Sequence, residues 1–328
     1  MDSLKYGSLV ISLDFELLWG GLDSWTVDGY GKSNVAQVRT SISRMISLFE
    51  EYDVHATFAT VGFLMLKDVD SIRQLQPNAI PSYKNKTLNP YGTILGIAEQ
   101  NNQLYFAPDV VEWLKMKPNV EIGTHTFSHY YCWEPGQTME QFDADIETAQ
   151  KVAKMNGIIL ESIVFPRNQV SKDYLEVCAN HGILVYRGNA RKYFEHTTSY
   201  SKNLYNKISR LLDAYINWGG NTTIPYSSIN RYERPLNVPA SRMLRPYMKI
   251  LKILEPLRLR RIKREMNHAA KHHELYHLWW HPHNFGADME QNLVFLEEVL
   301  KCYQMCHQQY DMRSYTMKEF YYKLIKNS

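Results

Sequence analysis

Short, nearly continuous apolar runs alternate with stretches of three-to-four-residue periodicity along most of this chain. The first run is Ser8-Leu9-Val10-Ile11-Ser12-Leu13, which reads as a strand buried on both faces, as in parallel sheets. Similar runs recur at 54–61, just before Gly123, at 161–165, at 183–186 and at 275–280. Helical spacing fills 34–52, through Val35, Val38, Ile42, Met45, Ile46 and Phe49, and again 138–155 and 171–180. Two amphipathic helices, at about 288–308 and 314–325, close the chain. Strands alternating with helices at this spacing imply a parallel sheet or a barrel. Two stretches break the rhythm. Residues 67–118 are interrupted by Pro77, Pro81, Pro90, Pro108 and Pro118, and are expected to wall a cleft or cap it. Residues 189–273 are the second expected insertion, in a chain read as one domain over 1–328.

The polar residues that follow the apolar runs carry the chemistry. The first strand delivers Asp14-Phe15-Glu16. Residues two apart on a strand share a face, so the two carboxylates point one way and Phe15 the other. Buried carboxylates are costly unless paired or metal-bound. The third strand leads through Gly123, expected to allow a sharp turn, into His125-Thr126-Phe127-Ser128-His129. If that stretch enters a helical turn, both histidines lie on one face and can grip one ion. An H-x3-H pair alone is as often two surface histidines; the other strand ends raise the metal reading. The fourth strand ends in Pro166-Arg167-Asn168, and the last delivers His281-Pro282-His283. Such residues on separate strand ends converge on one mouth of a β/α barrel.

Composition narrows the function classes. The chain has 328 residues, 45% hydrophobic and 22% charged, so a sizeable core is available. A net charge of +3 is too slight to argue for nucleic acid. Charge is uneven, however. Residues 241–273 hold ten Lys and Arg against two acidic residues, a net +8. The simplest reading is a helical insertion packed on the barrel; the sharper one is contact with an anionic membrane or a phosphorylated substrate. Four cysteines show no metal or disulfide spacing, and Cys302 and Cys306 read as packing residues. No run is long and apolar enough to span a bilayer, and Asp14 and Glu16 break the N-terminal apolar stretch, which no basic leader precedes. The expectation is a cytoplasmic protein, with peripheral contact at the inner face of the membrane through 241–273.

Ser12-Leu13-Asp14-Phe15-Glu16, Ala56-Thr57-Phe58, His125-Thr126-Phe127-Ser128-His129, Phe165-Pro166-Arg167-Asn168 and Leu278-Trp279-Trp280-His281 together resemble the polysaccharide deacetylase family, the NodB-homology carbohydrate esterases. The resemblance implies a distorted, incomplete (β/α)7 barrel. It also implies a divalent metal, zinc by default, and hydrolysis of an N-acetyl or similar acyl group from a sugar. By resemblance, His125, His129 and Glu16 are metal ligands and Asp14 is the general base, although the reverse assignment of Asp14 and Glu16 also fits. The family's first motif usually has adjacent aspartates, and Phe15 stands at the second. Arg167 resembles the arginine that orients the base. His281 matches the general acid, with His283 the second choice. Trp19, Tyr130, Trp133, Asn168, Trp280 and His283 are the expected substrate contacts. The family's aspartate-tryptophan motif is not visible near Tyr186-Arg187-Gly188-Asn189. The substrate is expected to be a carbohydrate, nucleotide- or lipid-linked, in surface-polysaccharide or glycolipid assembly. The alternatives are a catalytically degenerate, carbohydrate-binding barrel and a hydrolase of non-sugar amides.

Overall fold

A computed structural model describes residues 4–190 and 220–326, with Tyr215. The rest of the expected 189–273 insertion, 191–214 and 216–219, lies outside the described residues.

The centre of the fold is β1 (Ser8–Phe15), every residue of which is buried. It pairs in parallel with β2 (Ala56–Thr60) on one side and β9 (Glu274–Trp280) on the other. From β2 the sheet continues through β3 (Val120–Thr124), β4 (Ser162–Ile163), β5 (Val185–Tyr186) and β7 (Leu236–Asn237), all parallel. At the opposite edge β6 (Ile224–Pro225) runs antiparallel to β9. Short strands β8 (Arg242–Met243) and β10 (Arg313–Tyr315) pair in parallel with β9 and β1. The sheet curls into an incomplete barrel with helices around it, the distorted barrel architecture expected from the sequence.

Period-two alternation divides the core in two. Leu9, Ile11, Leu13 and Phe15 face outward, into a cluster with the helices. There α1 (Val38–Glu51) buries Val38, Ile42, Met45, Ile46 and Phe49, the residues its periodicity marks. Val10 faces inward, into a second cluster with Ala59, Val164, Val185, Leu275, Phe320 and Leu324. The last two belong to α9 (Met317–Lys326), which packs against the sheet. Ser8, Val10, Ser12 and Asp14 are the inward column of β1, and Asp14 stands at its C-terminal end.

The outer helices follow the sequence closely. Helix α5 (Met139–Met155) begins at a Thr138–Gln141 capping box, and α6 is Lys172–Asn180. Helix α7 (Glu255–His272) has Pro256 in its first turn, where the missing N–H costs nothing. Helix α8 (Met289–Tyr310) packs against α7. Three departures are informative. Residues 67–118, read as irregular, hold α2 (Val69–Gln74), α3 (Ile94–Gln100) and α4 (Pro108–Lys115), with proline at the start of α4. Residues 314 and 315, expected to open the final helix, belong instead to β10. Of the stretch read as helical from Leu244 to Leu254, only Lys249–Leu254 coils, as a 3-10 segment. All four cysteines are free and buried.

Candidate active site

Three side chains converge at the C-terminal end of the central strands. Glu16 follows β1, and His125 and His129 follow β3. Glu16 Oε2 lies 3.2 Å from His125 Nε2 and 3.0 Å from His129 Nε2. Their candidate ligand atoms all lie within 4.8 Å of one another, and all three residues are buried.

The loop that carries the histidines is not a helical turn. Thr126 and His129 adopt left-handed φ of 64° and 59°. Leu17, Arg167 and Asn168 share this disfavoured conformation, at φ 50°, 54° and 54°. Such backbone costs about 1–3 kcal/mol per residue and persists only where its surroundings impose it. Gly123 has another role than the expected sharp turn. It lies within β3, and a Cβ there would sit 2.3 Å from Ser162 Oγ, so its lack of a side chain lets β4 approach.

Asp145, on α5, is what holds the loop. Its carboxylate accepts from Phe127 N at 2.7 Å, from Ser128 N at 3.2 Å and from the Ser128 hydroxyl. Burial pushes its carboxyl up to about 7, against the opposing pull of these donors. Asp145→Ala would strand three buried donors. The expected loss is roughly 2–5 kcal/mol of stability, read by denaturant melts, with zinc affinity falling about 10–100-fold. An unchanged melt and zinc titration would show that the loop holds itself.

The donor set fits a metal. His125 Nδ1 lies 2.8 Å from the Val164 carbonyl, which can only accept, so Nδ1 carries a proton and Nε2 is the nitrogen turned toward Glu16. Burial depresses His129 to about 4, against the opposing pull of Glu16, and keeps its imidazole neutral. Burial would raise the Glu16 carboxyl, but His281, His125 and His129 hold it well below its usual range. Among the described residues, no lysine or arginine forms an ion pair with Glu16. A buried carboxylate facing only imidazoles is short of positive charge, which a divalent cation supplies.

Asp14 is held differently. Arg187, just past β5, grips it with both arms, Nη1 to Oδ1 at 2.7 Å and Nη2 to Oδ2 at 2.8 Å. Both residues are buried. Burial alone would raise the Asp14 carboxyl; Arg187, with His125 and His281, outweighs it and keeps it below the ordinary carboxylate value. Arg187 also donates to Ser12 Oγ at 3.1 Å and to Asn168 Oδ1 at 3.0 Å, and lies 4.3 Å from the Trp279 ring. Ser12 in turn contacts His277 Nε2 at 2.9 Å. Burial, aided by Arg187, depresses His277 to about 3, so it is neutral. The arginine expected beside Asp14 was Arg167. Instead, Arg167 pairs with Asp23 at 2.7 Å and lies over the Tyr131 ring. It also lies 3.7 Å from Glu134, with its side chain 12% exposed.

At the other wall, His281 Nε2 lies 3.7 Å from Asp14 Oδ2 and 3.5 Å from Glu16 Oε1, and its side chain is 21% exposed. His283 is buried behind it, 3.9 Å from Glu16 Oε1, with Trp25 and Tyr30 edge-on to its ring. Burial, then His281, depresses His283 to about 3.

Several expected substrate contacts lie elsewhere. Trp19 is fully buried among Phe63, Tyr105 and Phe106, and its Nε1 donates to the Tyr105 carbonyl. Trp280 faces outward, against Phe49 and Phe285. Alternation on β9 gives the inward place to half-buried Trp279, whose ring contacts His281. Tyr130 is buried, with its hydroxyl bonded to Gln137 and the Thr138 carbonyl. Trp133 is 37% exposed. Trp25 and Tyr30, not singled out from sequence, stack at 4.4 Å, and Tyr30 donates to Asn284 Oδ1 at 2.8 Å.

A curled parallel sheet with acid, histidine and arginine side chains at one mouth defines an incomplete β/α barrel with its candidate site at the strand ends. The family model described as polysaccharide deacetylase matches residues 28–186 and bears out the resemblance. The match includes His125, His129 and Arg167, and ends one residue before Arg187. Among solved structures, a protein of Mycobacterium smegmatis assigned by name to the polysaccharide deacetylases superposes with a TM-score of 0.62 at 10% identity, covering 100% of this chain and 93% of that one. One from Pseudomonas aeruginosa PAO1, named for the same activity, gives 0.54 at 10% identity, covering 98% and 91%. Puue allantoinase gives 0.53 at 10% identity, covering 98% and 90%. At such identities these likenesses establish the fold. No curated protein matches the chain significantly.

Proposed function

We propose that this chain is a metal-dependent hydrolase that removes an N-acetyl or similar acyl group from a sugar, in surface-polysaccharide or glycolipid assembly. The observation that carries this is one mouth holding a Glu-His-His donor set, an arginine-clamped aspartate and a partly exposed histidine within 4 Å of both carboxylates. Glu16, His125 and His129 would hold the metal, with zinc favoured by two imidazoles and a carboxylate. Bound there, it would polarise the acyl carbonyl and lower the pKa of a bound water.

The chain's own groups then divide the proton work. Asp14, kept ionised by Arg187, accepts the proton of the attacking water. Its two hydrogen bonds to a planar guanidinium fix the carboxylate's orientation. His281 donates a proton from Nε2 to the leaving amine nitrogen. It suits this role better than His283, which is buried, neutral and sealed by Trp25 and Tyr30. Trp279 and the Trp25–Tyr30 pair offer flat apolar faces for a sugar ring. The test is acetate release by zinc-loaded protein from a panel of N-acetylated sugars beside simple amides. Release from the sugars alone is the expected result. Release from simple amides alone would move the chemistry off carbohydrates, and a protein that binds sugars and releases nothing would be the degenerate barrel.

A further inference from the structure

The basic stretch 241–273 separates into an inner and an outer set of charges. Arg242 makes two buried hydrogen bonds to Glu265, and Arg261 lies 3.4 Å from the same carboxylate. Arg258 is buried with Glu255 and stacks on Phe295. These charges are engaged inside the protein. Lys249, Lys252, Arg260, Arg264 and Lys271 are exposed, and the first four make up the outer set considered below.

Between them stand apolar side chains where a lone soluble surface would not place them. Ile250 is 87% exposed, Ile253 83% and Leu257 40%. Lys249, Ile250, Lys252, Ile253, Pro256, Leu257, Arg260 and Arg264 form one stripe at helical spacing along Lys249–Leu254 and α7. Both acidic residues of the stretch, Glu255 and Glu265, are engaged by arginines behind it. The stripe also has a place relative to the site. Leu244 N donates to the Trp279 carbonyl, and Lys249 lies 3.1 Å from Asp288, just beyond the loop that carries His281.

We propose that this stripe docks the protein on an anionic lipid surface, with Ile250 and Ile253 entering the headgroup–acyl boundary and the cations on the lipid charge. Charge complementarity and protrusion both select this occupant. Isoleucines exposed above 80% have almost no neighbours of their own. A rigid partner would need a matching pocket for each, whereas a bilayer accepts both without one. Nucleic acid would satisfy the cations and leave the isoleucines in water. No helix among the described residues is long and apolar enough to cross a membrane. The surface stands on its own observations. Its use, bringing the mouth to a lipid-linked sugar, rests on the deacetylase reading.

The experiment is co-sedimentation of the full chain with vesicles of phosphatidylcholine alone and of phosphatidylcholine with phosphatidylglycerol. Two variants accompany it, Ile250→Ser/Ile253→Ser and Lys249→Glu/Lys252→Glu/Arg260→Glu/Arg264→Glu. Wild type is expected to bind the anionic vesicles and not the neutral ones, and each variant to bind at least about tenfold more weakly. Zinc content and hydrolysis of a water-soluble acylated sugar should be unchanged in both, which excludes misfolding. Absence of binding to anionic vesicles at low salt, or equal binding by wild type and both variants, overturns the surface. So does binding lost only with the charges and transferred to an acidic protein. Vesicle binding without any hydrolysis leaves the surface standing and removes the deacetylase reading instead.

Discussion

Arg187→Met is expected to lower kcat/KM about 10–100-fold or more and to move the acid limb of the pH profile upward. Asp14 is fully buried, and burial raises its carboxyl. What holds it below the ordinary value is first the Arg187 guanidinium. Without that charge burial prevails, and the base is protonated at a higher pH. Stability follows the same logic. A carboxylate with a depressed folded pKa contributes stability above its unfolded pKa, which is lost as pH falls through the folded value. The variant leaves a buried carboxylate unpaired, at a cost of about 3–5 kcal/mol near neutral pH. That penalty should shrink as pH falls and Asp14 takes up a proton. Arg187→Lys keeps the charge without the two-pronged contact, so it should restore stability better than rate. Matched pH–rate profiles and denaturant melts read both effects. An acid limb unmoved in Arg187→Met would remove Arg187 from the control of Asp14.

The second large effect is at the base itself. Asp14→Asn is nearly isosteric and keeps one acceptor for Arg187, so the protein should fold. It can no longer take a proton, and kcat is expected to fall about 10²–10⁴-fold. Zinc content should stay near wild type, because the donor set is Glu16, His125 and His129. Glu16→Gln should behave in the opposite way, with metal affinity falling first and activity recovering in excess zinc. If Asp14→Asn lost the metal and Glu16→Gln kept it, the two carboxylates would exchange roles, an order the sequence left open.

The contrast between what was and was not legible is physical. Period-two alternation in β1 sends Asp14 and Glu16 one way and Phe15 into the outer core, where its ring lies 6.4 Å from that of Phe58. Local geometry sufficed there. The same alternation on β9 selects Trp279 over Trp280, but two adjacent tryptophans leave the phase of the strand open. Arg187 is harder. It reaches Asp14 across 173 positions of sequence, and nothing local marks a lone arginine after a two-residue strand. The family motif expected at that point is an aspartate-tryptophan pair, and an arginine does not match it. Asp145 is hidden for a related reason. On the sequence it is one acidic residue of an amphipathic helix, and its value comes from facing the Phe127–Ser128 turn. Trp19 is ambiguous on the sequence, because an aromatic residue after such a strand reads equally as cleft wall or core.

The most direct test of the metal-centred account is the metal content of the purified full chain, wild type beside His125→Ala/His129→Ala. The account predicts about one divalent ion per wild-type chain, zinc foremost, and none in a folded double variant. A wild-type protein that holds no metal after incubation with zinc, or a double variant that holds as much as wild type, would contradict it.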